Sequence, residues 1–217
     1  MSDEALRRSA VAAVKRLDEL GLNRGSSGNL SLRSPAGGFW ITPTGMACEE
    51  IVPNSLVRLA DDGTVRQGDW APSTEWPLHR AIYLARPDLQ AIVHTHSPHA
   101  TALACLRRPL PAVHYMVAIA GGDDVPCTPY HLFGSDALSA AVADAFEARD
   151  ACLLANHGLV AGGATLAQAM KVALEVEALA GIYLQTLAAG TPALLSPAQM
   201  AEVIERFRSY GSKRRAR

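Results

Sequence analysis

The sequence predicts an α/β fold, a three-layer αβα sandwich around one mixed, largely antiparallel sheet. Two observations carry the prediction: a series of short alternating runs between Gly28 and about Gly68, and apolar strand-like runs that alternate with helical patterns after it. Length is the third: 217 residues, 49% hydrophobic and 19% charged, suffice for one sizeable core and are few for two. The expected organisation is one domain over residues 1–210 and a basic, disordered tail over 211–217.

Residues 3–20 place Leu6, Ala10, Val14 and Leu17 at helical spacing, with Gly21 as the stop. The runs "NLSLR", "FWIT", "LVRLA" and "TVRQG", separated by turn signals such as "SPAGG" and "DDG", then read as an antiparallel meander. Helical patterns follow at 74–86, 98–106, 135–148 and 165–189, interleaved with the strand-like runs "LQAIVHTH", "AVHYMVAIA" and "ACLLANHG". "SPAQMAEVIERFRSYG" opens with a Ser-Pro helix start and carries Met200, Val203, Ile204 and Phe207 at helical spacing.

A formal charge of −1 with mixed signs implies no extended surface for nucleic acid or an anionic membrane. The tail "SKRRAR" is the one dense basic run, and it reads as a solvated terminus. Charged residues interrupt "MSDEALRRSAVAAVKRLDEL", which therefore lacks the continuous apolar core of a signal peptide or membrane span; a cytoplasmic protein is expected. Cys48, Cys105, Cys127 and Cys152 are scattered in or beside apolar stretches and read as buried free thiols in a reducing compartment.

Chemistry concentrates in "AIVHTHSPHA" (91–100). Strand periodicity sends His94 and His96 to one face, at the carboxyl end of the strand, where two imidazoles can grip one cation. Ser97 and Pro98 resemble a helix start, which turns His99 elsewhere. A catalytic metal of the zinc type needs a third ligand, and His157 in "LLANHGLVAGG" supplies it, ahead of a glycine that permits close approach. His79, His114 and His131 read as hydrogen-bonded structural or surface residues.

Glu75 stands at a loop-to-helix junction behind Ser73 and Thr74. The macrodipole alone accounts for an acid there. A helix start lined by hydroxyl residues is also an anion site, with phosphate the obvious candidate. "RGSSGN" (24–29) and "TPTGM" (42–46) have the same chemistry, small hydroxyl residues with glycines that let backbone amides approach a ligand.

Taken in order, "RGSSGN", "ITPTGM", "STEW", "VHTHSPH", "PAVHYMVAIAGG", "VPCTPYHLFG" and "NHGLVA", ending in "FRSYG", resemble the class II aldolase/adducin superfamily over nearly the whole chain, and within it the L-fuculose-1-phosphate aldolases. The resemblance implies the class II aldolase fold and one Zn²⁺ per subunit on His94, His96 and His157. It implies that Glu75 is an acid/base residue that also coordinates the metal in the free enzyme. It places Asn29, Thr44, Gly45, Ser73 and Thr74 around the substrate phosphate, with Ser26 or Ser27 close by. The family often has Thr at position 26 and Ser at position 74, hydroxyl exchanges that keep the hydrogen-bonding role. Tyr115 matches a catalytic tyrosine that reaches the site of a neighbouring subunit in a cyclic homotetramer, and Phe133 and Tyr210 match residues bordering the aldehyde end.

The implied reaction is reversible cleavage of a ketose 1-phosphate, L-fuculose 1-phosphate or a related deoxy sugar phosphate. The products are dihydroxyacetone phosphate and an aldehyde such as L-lactaldehyde, formed through a metal-stabilised enediolate without a lysine Schiff base. Alternatives within the superfamily are a methylthioribulose-phosphate dehydratase, a pentulose-phosphate 4-epimerase or a tetronate-phosphate decarboxylase. The epimerases tend to carry Asp in place of Glu75. The alternative from another class is a non-catalytic adducin-like interaction module, against which the retained histidines and Glu75 speak.

Overall fold

In the computed structural model, which describes residues 2–209, one eight-stranded sheet runs through the molecule in the order β4-β3-β2-β1-β5-β8-β7-β6. The strands are β1 (Asn29–Arg33), β2 (Phe39–Ile41), β3 (Val57–Leu59), β4 (Val65–Gln67), β5 (Ala91–Thr95), β6 (Cys127–Thr128), β7 (Ala151–Leu154) and β8 (Gly158–Gly163). Every adjacent pair is antiparallel except β6 with β7, so the sheet is mixed and largely antiparallel, as expected.

Strand parity sorts the core into two layers. Leu30, Leu32, Val93, Leu153, Leu159 and their same-face neighbours pack under α1 (Asp3–Glu19), α3 (Pro98–Cys105), α5 (Leu166–Ala189) and α6 (Pro197–Ser209). Phe39, Ile41, Ile92, Cys152, Leu154 and Val160 face the other way, under α2 (Trp76–Ala85) and α4 (Asp136–Phe146). Helix α5 is long and apolar enough to cross a membrane by composition, but here Val172, Val176, Leu179 and Tyr183 form part of the first core layer.

Three expectations change. "AVHYMVAIA" is a 3₁₀ helix over Tyr115–Ala120 rather than a strand; His114 Nδ1 accepts from the Met116 amide at its start and Gly121, at φ 87°, ends it. A short apolar run carries no period that separates strand from helix. "ACLLANHGLVAGG" is a tight hairpin, and its second arm, β8, is the strand that pairs with β5. Of the thiols expected to be buried, Cys48 and Cys152 are, whereas Cys105 is exposed and Cys127 half-buried. Residues 210–217, with Tyr210 and the expected tail, lie outside the described residues.

Ser97 does occupy the start of α3, but its side chain makes no cap bond there. Glu177 of α5 takes that role: its carboxylate accepts from the amides of His99 and Ala100 (2.9 and 2.8 Å) and lies 2.8 Å from His99 Nδ1. His99 is thus structural, and the charge satisfies the free amides of a helix start. Glu177→Ala would leave these donors unpaired and is expected to cost about 2 kcal/mol. Thermal unfolding should register this as a midpoint lower by about 4–8 °C; an unchanged midpoint would remove Glu177 as the cap.

Candidate metal centre

Strand β5 is central, with β1 on one side and β8 on the other, and His94 lies opposite Asn29 and Val160. His94 is fully buried and shares the α2/α4 face with Ile92. His96 follows one residue past the strand end, and His157 sits at the turn between β7 and β8. Two glycines allow this crowding. A Cβ at Gly28 (φ 72°) would come within 2.6 Å of the His94 carbonyl, and one at Gly158 within 2.3 Å of the Thr95 carbonyl.

Asn156, in the left-handed region at φ 57°, makes the turn that presents His157; its amide donates to Ala104 O, and Arg107 Nε donates to its side-chain oxygen.

The three imidazoles converge on one point. His94 Nε2 lies 3.1 Å from His96 Nε2 and 3.2 Å from His157 Nε2, with the rings edge-to-face. Glu75 closes the fourth side, Oε2 at 3.2 Å from His94 Nε2 and Oε1 at 3.3 Å from His157 Nε2. Oε1 is buried with no hydrogen-bond partner. Nδ1–H of His94 donates to Leu159 O (2.9 Å), which turns Nε2 towards the cluster.

Four donors that share one centre fit a small cation. Tetrahedral ligands at about 2.0–2.1 Å from zinc stand about 3.3–3.4 Å apart, close to the spacings here. Three nitrogens and one carboxylate suit zinc and neighbouring transition metals better than magnesium or calcium.

Burial by itself would raise the Glu75 carboxyl, but His94, His157 and the Asn29 amide hold it well below the usual carboxylate range. Burial works against a charge on His94, yet the contact with Glu75 lifts its pKa above the ordinary value. Burial and the neighbouring His94 charge push His96 and His157 down to about 4. A cation entering the cluster therefore competes with protons for its donors, His94 foremost.

Glu75 is the N-cap residue of α2 and makes no cap bond with its side chain, which is free to point into the cluster. Beside it, the Ser73 amide donates to Thr42 O (3.0 Å), the Thr44 amide donates to Ala71 O (3.0 Å), and Pro43 pairs with Pro72. Thr44, Gly45, Ser73 and Thr74 are thereby brought into one corner. Thr44 and Thr74 are exposed, Ser73 Oγ accepts from the Glu75 amide, and Gly45 (φ 68°) has open space beside it.

Ser26 and Ser27 sit in the adjoining turn, held by the bond from the Cys48 amide to Gly25 O. Ser26 is exposed, whereas Ser27 Oγ is engaged with the Arg24 backbone. Phe133 is exposed on a loop whose Gly134 lies against Thr74 O. Tyr115 is half-exposed and lines a separate cleft of 1110 Å³ with residues of α5 and α6; none of the four cluster residues lines it.

Asn29 has a use that the sequence reading misses. Its Nδ2 donates to Glu75 Oε2 (3.0 Å) and its Oδ1 meets His79 Nε2, so both ends of the amide are engaged within the protein. His79 in turn contacts Ser31 Oγ (2.7 Å), which contacts Tyr83 OH (3.0 Å). The signal was present as two periods, 75/79/83 on a helix and 29/31/33 on a strand.

Fold and site together define a three-layer α/β protein with a buried His₃–Glu cluster able to hold a divalent cation. The chain belongs to the family described as the Class II Aldolase and Adducin N-terminal domain, which matches residues 8–184. It is 46% identical to a 5-methylthioribulose-1-phosphate/5-deoxyribulose-1-phosphate aldolase of Rhodospirillum rubrum, over 95% of this chain and 93% of that protein. It is 44% identical to an L-fuculose phosphate aldolase of Escherichia coli O6:H1, over 97% of this chain and 98% of that one. A solved L-fuculose 1-phosphate aldolase superposes with a TM-score of 0.90 at 39% identity, covering 93% and 95% of the two chains.

Metal affinity should fall with acidity. Protons compete with the cation for the imidazole nitrogens, most of all for His94, so the apparent affinity is expected to drop by up to about tenfold per pH unit on acidification. Competition with a chelating dye across about pH 5–8 measures it, and an affinity flat over that range would contradict proton competition at the cluster. Gly158→Ala is expected to weaken divalent-cation binding at the cluster while keeping the helical circular dichroism of the wild type, because the added methyl forces β8 and the His157 turn away from β5.

Proposed function

We propose that the protein is a zinc-dependent class II aldolase that reversibly cleaves a ketose 1-phosphate to dihydroxyacetone phosphate and an aldehyde. One observation carries the reading: the buried, unpartnered Oε1 of Glu75 aimed at three converging imidazoles. A purely structural carboxylate would have its second oxygen satisfied, whereas an acid/base residue needs one left free. The names of the relatives support the reaction class, and they divide between L-fuculose phosphate and the methylthio- or deoxyribulose 1-phosphates.

In this reading His94, His96, His157 and Glu75 hold one Zn²⁺ per subunit. When bound, the ion supplies Lewis-acid polarisation of the substrate's ketone and adjacent hydroxyl oxygens. Thr44, Gly45, Ser73 and Thr74, with Ser26 or Ser27 beside them, receive the phosphate through hydroxyls and backbone amides. Asn29 then borders the phosphate while its amide braces Glu75.

On cleavage the carbon–carbon bond next to the ketone-bearing fragment breaks, and its electron pair stays with that fragment. Cleavage is the reverse of condensation and starts from its end state: Tyr115, deprotonated, takes the proton of the hydroxyl that becomes the aldehyde, and Glu75, protonated, delivers its proton to the carbon left behind. In condensation Glu75 takes that proton back and Tyr115 returns the other.

Tyr115 must meet Glu75 for this, yet within one chain it faces a different cleft. We infer a cyclic homotetramer of cytoplasmic subunits, in which Tyr115 serves a neighbour's site and Phe133 and Tyr210 border its aldehyde end.

A coupled assay for dihydroxyacetone phosphate over several ketose 1-phosphates tests the reaction. Chelation should abolish release and zinc restore it; release from a metal-free preparation would overturn the mechanism, and no release from any sugar would favour a dehydratase or decarboxylase. Glu75→Gln and Tyr115→Phe should each cost on the order of 10²–10⁴ in kcat. Co-expressed and assembled together, the two inactive variants should recover a fraction of the wild-type rate, because mixed oligomers hold some intact composite sites. No recovery would place Tyr115 and Glu75 in the same chain's site.

A further inference from the structure

Beneath the metal cluster, two polar stripes meet inside an otherwise apolar layer. Glu75, His79 and Tyr83 recur every fourth residue along α2, and Asn29, Ser31 and Arg33 every second residue along β1. Four helical residues rise about 6.0 Å and two strand residues about 6.6 Å, so the stripes stay in step over their whole length. His79 and Ser31 are fully buried, and Tyr83, Asn29 and Glu75 nearly so. Arg33 closes the far end, its guanidinium 4.5 Å from the Tyr83 ring centre and bonded to the carbonyls of Tyr83 and Leu89.

The direction of every bond in this seam follows from its first member. A carboxylate can only accept, so Asn29 must present Nδ2 to Glu75 and hence Oδ1 to His79. That oxygen can only accept, so His79 must carry its proton on Nε2, and Nδ1 is left to accept from Ser31 Oγ–H. Ser31 then accepts from Tyr83 O–H. Burial holds His79 neutral and Tyr83 protonated, pushing His79 down to about 3 and the Tyr83 hydroxyl upward.

We propose that His79 is a positioning residue for the aldol chemistry: with Ser31 it fixes the orientation of Asn29, which anchors Glu75 through Oε2 and leaves Oε1 as the oxygen that exchanges protons with substrate. If His79 loses its Nε2 proton donor, the Asn29 amide has no reason to keep Nδ2 towards Glu75, and a flip would set oxygen against oxygen. The proposal rests on the aldolase reading for its kinetic part and on hydrogen-bond direction alone for its structural part.

Two measurements test it separately. Nitrogen-15 NMR of the resting protein should show His79 as the neutral Nε2–H tautomer in the wild type, with Ser31→Ala admitting the other. An Nδ1–H tautomer in the wild type would overturn the proposal whatever the enzyme does. At full zinc occupancy, His79→Leu should lower kcat by about 10–100-fold with KM for the ketose 1-phosphate nearly unchanged. His79→Gln, whose amide nitrogen can replace Nε2–H, should recover most of the loss. A kcat for His79→Leu within about twofold of wild type, or no recovery with Gln at equal folded fraction and zinc content, would refute the positioning role. Should His79→Leu fail to fold, Ser31→Ala decides the kinetic part: it should lower kcat several-fold without loss of zinc, and an unchanged kcat refutes the role. Wild-type protein that cleaves no ketose 1-phosphate would defeat the aldolase reading, while the tautomer still decides the direction of the seam.

Discussion

The molecule is organised around a repulsion. Three imidazoles, with His94 Nε2 at 3.1 and 3.2 Å from the Nε2 atoms of the other two, next to a buried carboxylate, are unfavourable neighbours unless a positive charge lies among them. Glu75 offsets part of this by raising His94, while burial and the neighbouring His94 lower His96 and His157. The site therefore cannot assemble itself. Rigid secondary structure has to bring its members together and hold them, and the central position of β5 serves that end.

Three members of the cluster are held by different devices, and each device ties the cluster to the sheet. His94 belongs to a central, fully buried strand and is turned by Leu159 O of the neighbouring strand. His157 depends on a hairpin that Gly158 allows to lie against Thr95 O. Glu75 enters from the α2/α4 layer and is braced through Asn29 into the polar seam. The buried seam is costly to desolvate, but with its hydrogen bonds directed one way it rigidifies Glu75 more than apolar packing could. The unpartnered Oε1 stands out against that otherwise satisfied network.

What could be read from the sequence follows from how local the cause is. Parity along "AIVHTH" is a local property, and it pairs His94 with His96 even though the strand ends at Thr95. The role of His157 depends on a hairpin, and "ACLLANHGLVAGG" gives no apolar period that shows where one strand stops and the next begins. The 3₁₀ helix at Tyr115–Ala120 is hidden for the same reason. Glu177 as the cap of α3 is a contact 78 residues distant in sequence, and Ser97 is the local candidate that displaces it from view. Asn29 reads as a phosphate residue from its Gly-Ser surroundings, while its engagement with Glu75 and His79 depends on how α2 lies on β1.

The same distinction between enclosed and open parts bears on substrate. The cluster and its seam are buried, and their geometry is over-determined by the sheet. The residues assigned by resemblance to the aldehyde end are different in kind: Tyr115 and Phe133 are exposed and sit on a 3₁₀ helix and a loop. Under the proposed function, the reacting end of the sugar is selected by a rigid, buried centre and the far end by a surface that one chain alone leaves open. Discrimination among aldehydes is then a property of the assembled oligomer, since Tyr115 lines a cleft that none of its own chain's four cluster residues lines.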